Sequence, residues 1–214
     1  MPIIQSMKID TTNTKTKLCD LGAFLMNDKS PYTIDGHRHA YTGIYTLFFA
    51  RFVENPVVIA ELGINNCSSM AMWYNYFKHP DTKIFGFDVI MNHINHLNSL
   101  EGDNIKGLFM DITKDESIVN GLSQIKEKID ILIDDTTHIF EDQIRIIKKG
   151  LPFVKSGGLI IIEDIYRDRN EVDYEEALKE VLFRFSFATF ILPTHINEYC
   201  GEANNSKLLV LIKK

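Results

Sequence analysis

Two carboxylates and a histidine follow an apolar run in the segment IDILIDDTTH, residues 129–138. A short apolar run bounded by polar residues is typical of a buried strand in a parallel sheet. Ligands of open α/β sheets bind just beyond the carboxyl ends of the strands. We therefore expect Asp134, Asp135 and His138 to lie at the mouth of a site.

A second apolar run ends in the same way, because Glu163 and Asp164 follow GGLIII at 157–162. Two neighbouring strands that both end in acid pairs would bring several carboxylates together. Such carboxylates repel one another unless they are protonated or bridged by a cation. The two segments together predict a metal site.

An earlier strand is followed by a small polar loop in ELGINNCSS, residues 61–69. Gly63 permits a tight turn and a close approach of the backbone to a ligand. The loop lacks the GxGxxG pattern of dinucleotide sites, so a purely structural turn explains a single glycine equally well. The candidate cofactor contacts of this segment are Glu61, Gly63, Asn65 and Ser69.

Two further predicted strands also end in an acid. Asp88 follows about 25 residues after the first strand, where a carboxylate can accept hydrogen bonds from the hydroxyls of a ribose. Asp111, followed by Ile112, ends the next strand and is placed to lie near an adenine amine. Any one of these acids could be an ordinary loop residue, but their repetition at successive strand ends favours a nucleoside-containing cofactor.

Strands and helices alternate along the chain, which predicts a parallel sheet covered on both faces. The predicted strands are 57–62, 83–89, 105–110, 129–134, 159–163, 187–192 and 208–213. The last two follow each other without a helix, so we expect an antiparallel C-terminal hairpin at one edge of a doubly wound, Rossmann-like sheet. Residues 1–17 are polar and without a clear period, which predicts a flexible arm before a single domain at 18–214.

The composition is that of an ordinary globular domain. The chain has 214 residues, a net charge of -6 and a hydrophobic fraction of 45%. An acidic chain argues against nucleic acid as the main partner, because phosphate binding depends on Lys and Arg. The three widely spaced cysteines form no CxxC pair, which favours free thiols in a reducing cytoplasm. The sequence contains no run long enough for a membrane helix, and a homo-oligomer is compatible with it.

The order of the strand-end residues resembles that of class I S-adenosylmethionine-dependent methyltransferases, with their ExGxGxG motif reduced here to E-x-G. A narrower resemblance rests on five segments: NDKS (27–30), HAYTGIY (39–45), SMAMWYNYF (69–77), IDDTTH (133–138) and GGLIIIED (157–164). In that order they resemble the macrocin and mycinamicin group of sugar O-methyltransferases. That group has IDDGSH where this chain has IDDTTH.

The resemblance implies S-adenosylmethionine and Mg²⁺ as cofactors. It implies that Asp135, Glu163 and Asp164 hold the metal, that His138 is the catalytic base, and that Asp134 lies near the methionine end of the cofactor. The implied acceptor is a sugar hydroxyl, by resemblance that of a rhamnose-like deoxysugar on a glycan or a natural product.

The candidate substrate contacts are Asp28, Tyr41, Tyr45 and His195, although core packing explains the two tyrosines almost equally well. Three alternatives stay open at this point. They are a catechol-type metal-dependent O-methyltransferase, an NAD-binding oxidoreductase, and a non-catalytic binding domain that retains the fold. The missing GxGxxG pattern counts against the oxidoreductase, and the complete set of acids with His138 counts against the non-catalytic domain.

Overall fold

A computed structural model describes residues 4–34, 36–100, 102, 104–201 and 203–214. Its strands are β1 (Gln5–Asp10), β2 (Val58–Leu62), β3 (Lys83–Asp88), β4 (Ile105–Phe109), β5 (Ile129–Asp134), β6 (Val154–Ile162), β7 (Phe185–Thr194) and β8 (Leu208–Lys213). Its α-helices are α1 (Lys17–Phe24), α2 (Tyr41–Phe49), α3 (Ser68–Tyr76), α4 (Met91–Ser99), α5 (Asp115–Leu122), α6 (Phe140–Gly150) and α7 (Glu171–Leu178).

Within the described residues, the strands form one eight-stranded sheet in the order β1-β7-β8-β6-β5-β2-β3-β4. Every neighbouring pair is parallel except β6 with β8 and β7 with β8. The predicted doubly wound, mostly parallel sheet with an antiparallel C-terminal hairpin is confirmed.

The N-terminal segment differs from the prediction. Residues 5–10 of the expected flexible arm form β1, which pairs in parallel with β7 and so lies outside the hairpin. The hairpin is therefore not at the sheet edge. The side chains of β1 are mostly exposed, so the strand is held by backbone hydrogen bonds and leaves no apolar alternation from which it could be predicted.

The central strands are apolar on both faces because both faces are covered. Alternate residues of β5 and β6 point to opposite sides, as the pleat of a strand requires. Leu132 and Ile160 belong to one core cluster, whereas Ile131 and Ile161 belong to the other. This double burial explains the uninterrupted apolar runs that the sequence shows.

The strand order reverses between β2 and β5, since the chain runs outward through β3 and β4 and then returns to β5. Ligand crevices of open α/β sheets form at this kind of switch point. The register pairs Leu62 with Asp134 and Asp134 with Ile162. Consequently Gly63, Asp135 and Glu163 leave three adjacent strands at the same level. No helix in the described part of the chain has both the length and the apolar character needed to cross a membrane.

Candidate functional site

Gly63 is the point at which the loop after β2 meets the loop after β5. Its φ is +84°, and a Cβ added there would lie 2.0 Å from the carbonyl oxygen of Asp135. Asp135 in turn donates its backbone N–H to the carbonyl of Leu62 at 2.9 Å. Only glycine satisfies both the positive φ and this close approach. The glycine is therefore required by the packing of two loops, whatever the cofactor contributes.

Asp135, His138 and Asp164 come together at the carboxyl edge of the sheet. Nε2 of His138 lies 3.3 Å from Oδ1 of Asp135 and 3.6 Å from Oδ2 of Asp164. One ligand atom from each residue falls within 4.8 Å of the other two. The predicted convergence of these three residues is what the structure shows, although their chemical roles stay predictions.

The backbone at two of these residues is strained. His138 has φ +58° and Asp164 has φ +56°, the left-handed region that residues other than glycine rarely occupy. Such conformations cost on the order of 1 kcal/mol each and concentrate at functional sites. Both strained residues belong to the group that converges with Asp135.

Lys29 is the residue around which the buried acids are arranged. It is 1% exposed. Its Nζ donates to Oδ2 of Asp135 at 2.5 Å and to Oε2 of Glu163 at 2.8 Å, and it lies 3.4 Å from Oε1 of Glu61. Burial would lower the pKa of Lys29, but the three carboxylates outweigh it and raise that pKa well above its usual value. The ammonium group therefore stays charged.

Glu163 is buried and is not among the described residues that line the cavity. Besides the Lys29 contact, its Oε1 accepts a hydrogen bond from the hydroxyl of Tyr45. Burial, together with the charges of Asp135 and Glu61, raises the pKa of Glu163 well above its usual value despite the opposing effect of Lys29. Its membership of the metal site stays a prediction. Of the three predicted metal ligands, Asp135 and Asp164 are among the described residues that line the cavity.

Asp164 is held by a separate group of side chains. Tyr41 donates to its Oδ1 at 2.7 Å, Asn205 donates to its Oδ2 at 2.9 Å, and Nε2 of His39 lies 3.3 Å from Oδ1. Burial would lower the pKa of His39, but its contacts with Asp164 and Cys200 raise it well above the usual value. These contacts fix the orientation of the Asp164 carboxylate.

Tyr41 and Tyr45 were predicted as candidate substrate contacts, and that role stays a prediction. Both are fully buried on α2, and neither is among the described residues that line the cavity. Helical spacing of four residues puts them on one face, and that face packs against Glu163 and Asp164. Their hydroxyls orient the acids from behind.

Asp134 and Glu61 are also buried and are not among the described lining residues of the cavity. Asp134 accepts a hydrogen bond from Oγ1 of Thr136 at 2.6 Å, and burial raises the pKa of Asp134 to about 7. Glu61 accepts from Nε1 of Trp73 and faces Lys29. Both strand-end acids point into the protein, because their strands have buried neighbours on both sides.

A cavity of about 620 Å³ lies at the switch point. The predicted cofactor residues in its lining are Gly63, Asn65, Asp88, Asp111 and Ile112. The predicted metal and base residues in its lining are Asp135, His138 and Asp164. A larger, more open hollow of about 1160 Å³ lies at the amino ends of the strands, where open α/β sheets do not bind their ligands.

The carboxylate of Asp88 already has several hydrogen-bond partners within the protein. Its carboxylate accepts hydrogen bonds from the backbone N–H groups of Ile64, Asn65 and Ile90 and pairs with Nδ1 of His93 at 3.0 Å. Burial would raise its pKa, but these contacts lower it. Asp88 is therefore ionised and secures the loop after Gly63. Its contact with a ribose stays a prediction.

The remaining predicted residues lie at different distances from the cavity. Asp28 lines it, whereas the buried Ser69 lines a small adjoining hollow. Nε2 of His195 lies 3.2 Å from the hydroxyl of Tyr32, and His195 is not among the described residues that line the cavity, so its contact with a substrate stays a prediction. The bend after β7 directs the His195 ring toward Tyr32, with ring centroids 4.9 Å apart.

Sequence reasoning missed His39, Asn205 and Tyr166 as parts of the site, and it considered Lys29 only as part of a lid rather than as the partner of buried acids. Lys29 lies in the NDKS segment and His39 lies in the HAYTGIY segment. Both segments were identified from the sequence, but the contacts of these two side chains were not predicted. Asn205 reaches Asp164 from a polar loop before β8, and Tyr166 lines the cavity two residues after Asp164. Neither belongs to a pattern that a single sequence reveals.

Comparison with known proteins confirms the resemblance to sugar O-methyltransferases. The sequence is 31% identical over 135 residues to the 8-demethyl-8-(2-methoxy-alpha-L-rhamnosyl)-tetracenomycin-C 3'-O-methyltransferase of Streptomyces olivaceus, covering 60% of this chain and 33% of that protein. It is 26% identical over 141 residues to the mycinamicin VI 2''-O-methyltransferase of Micromonospora griseorubida, covering 61% of this chain and 33% of that protein. The chain thus spans about a third of the length of the curated relatives it matches. No protein-family model matches it.

Solved structures agree on the fold. MycE methyltransferase in complex with Mg, SAH and mycinamycin VI superimposes with a TM-score of 0.67 at 18% identity, covering 94% of this chain and 55% of that one. A putative rRNA-methylase from Clostridium thermocellum superimposes with a TM-score of 0.55 at 19% identity, covering 80% of this chain and 94% of that one. At these identities the likeness establishes a Rossmann-like methyltransferase fold.

We expect Lys29→Met to destabilise the metal-free protein by about 3–5 kcal/mol, because it leaves buried carboxylates without their counter-charge. The loss should shrink as the pH falls, since the carboxylates can then be protonated. The free energy of unfolding, measured by urea denaturation in chelator, gives the size of this loss. Lys83→Met is the matched control, because Lys83 forms an ion pair with Glu127 in which both side chains are more than 40% exposed. Equal, small losses in both variants would contradict the role of Lys29.

We expect Asp134→Asn to change how stability depends on pH. The pKa of Asp134 is about 7 in the folded protein against 3.8 for the free side chain. The buried neutral carboxyl therefore contributes stability that is fully present below about pH 4 and is lost as the pH rises through about 7, up to about 4 kcal/mol.

The measurement is the free energy of unfolding in chelator between about pH 5 and about pH 8, where both variants can be compared. Relative to the unmodified protein, Asp134→Asn should gain stability as the pH rises to about 7, and the difference should level off above that pH. Asp81→Asn is the control, because the Asp81 side chain is 80% exposed. A difference between the Asp134 variant and the unmodified protein that does not vary with pH would show that Asp134 titrates normally.

Proposed function

We propose that this chain is an S-adenosylmethionine-dependent O-methyltransferase that methylates a hydroxyl of a sugar. The observation that carries the proposal is the cavity at the switch point, which is lined by two chemically different groups of residues. One group, which we assign as the cofactor end, consists of a glycine loop and strand-end acids suited to a nucleoside. The other group, which we assign as the metal end, consists of two carboxylates and a histidine suited to activating a hydroxyl.

The cofactor end is assigned to Gly63, Asn65, Asp88, Asp111 and Ile112. Asp88 is ionised, and its Oδ1 accepts only from Ile90 among the described residues, so this oxygen retains capacity for a ribose hydroxyl. Ile112 offers an apolar surface for a base, and Asp111 lies at the same end of the cavity. Glu61 and Asp134 support this end from within the protein.

The donor set at the other end fits Mg²⁺. This ion takes oxygen ligands and keeps several waters, which the oxygens of a substrate can replace. Asp135 and Asp164 would hold it, with Glu163 behind them and within the same network of charges. When bound, the ion would supply positive charge that acidifies a sugar hydroxyl.

His138 is assigned as the general base. Its Nε2 faces Asp135 and Asp164, which supplies the contacts that stabilise the protonated ring. Burial would lower the pKa of His138, but these acids raise it. In the proposed step the neutral ring accepts the hydroxyl proton as the oxygen–methyl bond forms and the methyl–sulfur bond breaks. The ring later releases this proton to solvent.

The acceptor class rests on the relatives, whose names specify rhamnosyl-tetracenomycin and mycinamicin VI as their substrates. We propose a rhamnose-like deoxysugar on a larger natural product or glycan. The part of the site that the structure describes fits such a molecule, because vicinal hydroxyls suit a metal held by only two cavity-facing carboxylates.

Calorimetric titration with S-adenosylhomocysteine tests the cofactor assignment before any acceptor is known. We expect binding in the micromolar range, no heat with NADH, and at least about tenfold weaker binding by Asp88→Asn. The titration is run in magnesium and again in chelator. Heat with NADH and none with S-adenosylhomocysteine would replace the proposal with an oxidoreductase.

We expect His138→Ala to lower kcat by about 10²–10⁴-fold, which is the usual contribution of a positioned general base. The affinity for S-adenosylhomocysteine should not change, because His138 lies at the other end of the cavity. Methyl transfer from radiolabelled cofactor to a rhamnosylated acceptor measures kcat, and His79→Ala is the control on an outlying loop. A loss below about tenfold would remove His138 from this role.

A further inference from the structure

A second group of metal-binding side chains lies beside the oxygen-rich site and has no part in the proposed reaction. It consists of His37, His39 and Cys200, which we call the HHC cluster. One ligand atom from each residue lies within 4.8 Å of the other two. The donors are imidazole nitrogen and sulfur, which suit Zn²⁺, whereas carboxylate oxygens suit Mg²⁺.

The backbone brings these residues together by a short antiparallel bridge. Arg38 donates its N–H to the carbonyl of Tyr199 at 2.8 Å, and Tyr199 donates to the carbonyl of Arg38 at 2.9 Å. Successive side chains on paired strands point to opposite faces. The guanidinium of Arg38 therefore lies over the ring of Tyr199, 5.7 Å from its centre, while His37, His39 and Cys200 share the other face.

The distance between the best-defined pair of donors matches zinc geometry. Sγ of Cys200 lies 3.6 Å from Nδ1 of His39. A tetrahedral zinc with a Zn–S bond of about 2.3 Å and a Zn–N bond of about 2.05 Å requires about 3.6 Å between these two ligand atoms. The pair is thus already set at the separation that a metal between them would impose.

The second nitrogen of His39 supplies an independent argument. Nε2 lies 3.3 Å from Oδ1 of Asp164, at ion-pair distance, while Nδ1 faces Cys200. A histidine that binds zinc nearly always directs its other nitrogen to a carboxylate or carbonyl, which fixes the tautomer and the ring. His39 is 2% exposed, so this orientation is built into the fold.

His37 completes the cluster from the side of the cavity. Its ring stacks on that of His39, with centroids 4.6 Å apart. Its Nε2 is buried and has no hydrogen-bond partner among the described residues. A buried nitrogen without a partner costs free energy unless a ligand satisfies it.

We propose that the HHC cluster is a binding site for a soft divalent cation, Zn²⁺ by preference, that is separate from the Mg²⁺ site. His39 binds through Nδ1 and Cys200 binds as a thiolate, each after releasing one proton to solvent, and His37 supplies the third ligand as a neutral imidazole. The fourth position is open to water or to the carboxylate of Glu198, whose Oε1 lies 3.7 Å from Sγ of Cys200. The metal joins the two segments that support Asp164.

Titration with Co²⁺ in the presence of excess Mg²⁺ tests this site directly, since a cobalt–thiolate bond gives a charge-transfer band in the near ultraviolet. The full chain is used with a phosphine reductant. We expect the band to saturate at one Co²⁺ per chain, to resist Mg²⁺ and to be displaced by Zn²⁺. Cys200→Ser should abolish it, and His37→Ala should raise the apparent Kd at least about tenfold.

Cys67→Ser is the matched control, because burial raises the pKa of the Cys67 thiol to about 11 and disfavours its thiolate. This variant should keep the band. Circular dichroism verifies that each variant is folded. Absence of the band in the unmodified protein, or a band that survives in Cys200→Ser, would overturn the proposal. Neither outcome bears on the binding of S-adenosylhomocysteine, so the two proposals fail independently.

Discussion

The ammonium group of Lys29 is the charge on which the site depends. Three strands end in acids at one level of the sheet, and the side chains of Glu61, Asp135 and Glu163 converge on a single buried cation. Without that cation the acids would have to be protonated or separated, because isolated charges are not tolerated in a region closed to water. Lys29 thereby connects the loop before α2 to the carboxyl ends of β2, β5 and β6.

The acids at the carboxyl edge of the sheet fall into two groups. Glu61, Asp134 and Glu163 are directed into the protein, where hydrogen bonds and burial determine whether they carry a proton. Asp135 and Asp164 line the cavity and also make contacts within the protein. His138 lies between these two acids, and in the proposed reaction it takes the proton of the substrate hydroxyl. The proposed reaction would therefore take place at the edge of a rigid network of side chains whose hydrogen bonds are largely satisfied.

Much of the fold could be predicted because the central strands are buried on both faces and show it as apolar runs. The convergence of Asp135, His138 and Asp164 could also be predicted, because parallel strands end at a common edge of the sheet. The buried position of Lys29 could not be predicted, because a lysine in a polar turn has the same sequence context whether it is solvated or buried. Strand β1 was not predicted because backbone hydrogen bonds, rather than an apolar pattern, hold it in the sheet. The role of Tyr41 and Tyr45 was ambiguous because helical spacing identifies a buried face but not the residues against which that face packs.

The left-handed backbone at His138 and Asp164 bears on how this chain could change over evolutionary or laboratory time. Glycine or asparagine would fit both positions with less strain, so substitutions there are an accessible route to a more thermally tolerant protein. The same substitutions would remove the proposed base or a proposed metal ligand. Under the proposed function, selection for heat resistance alone would thus tend to produce a stable chain with an inert cavity.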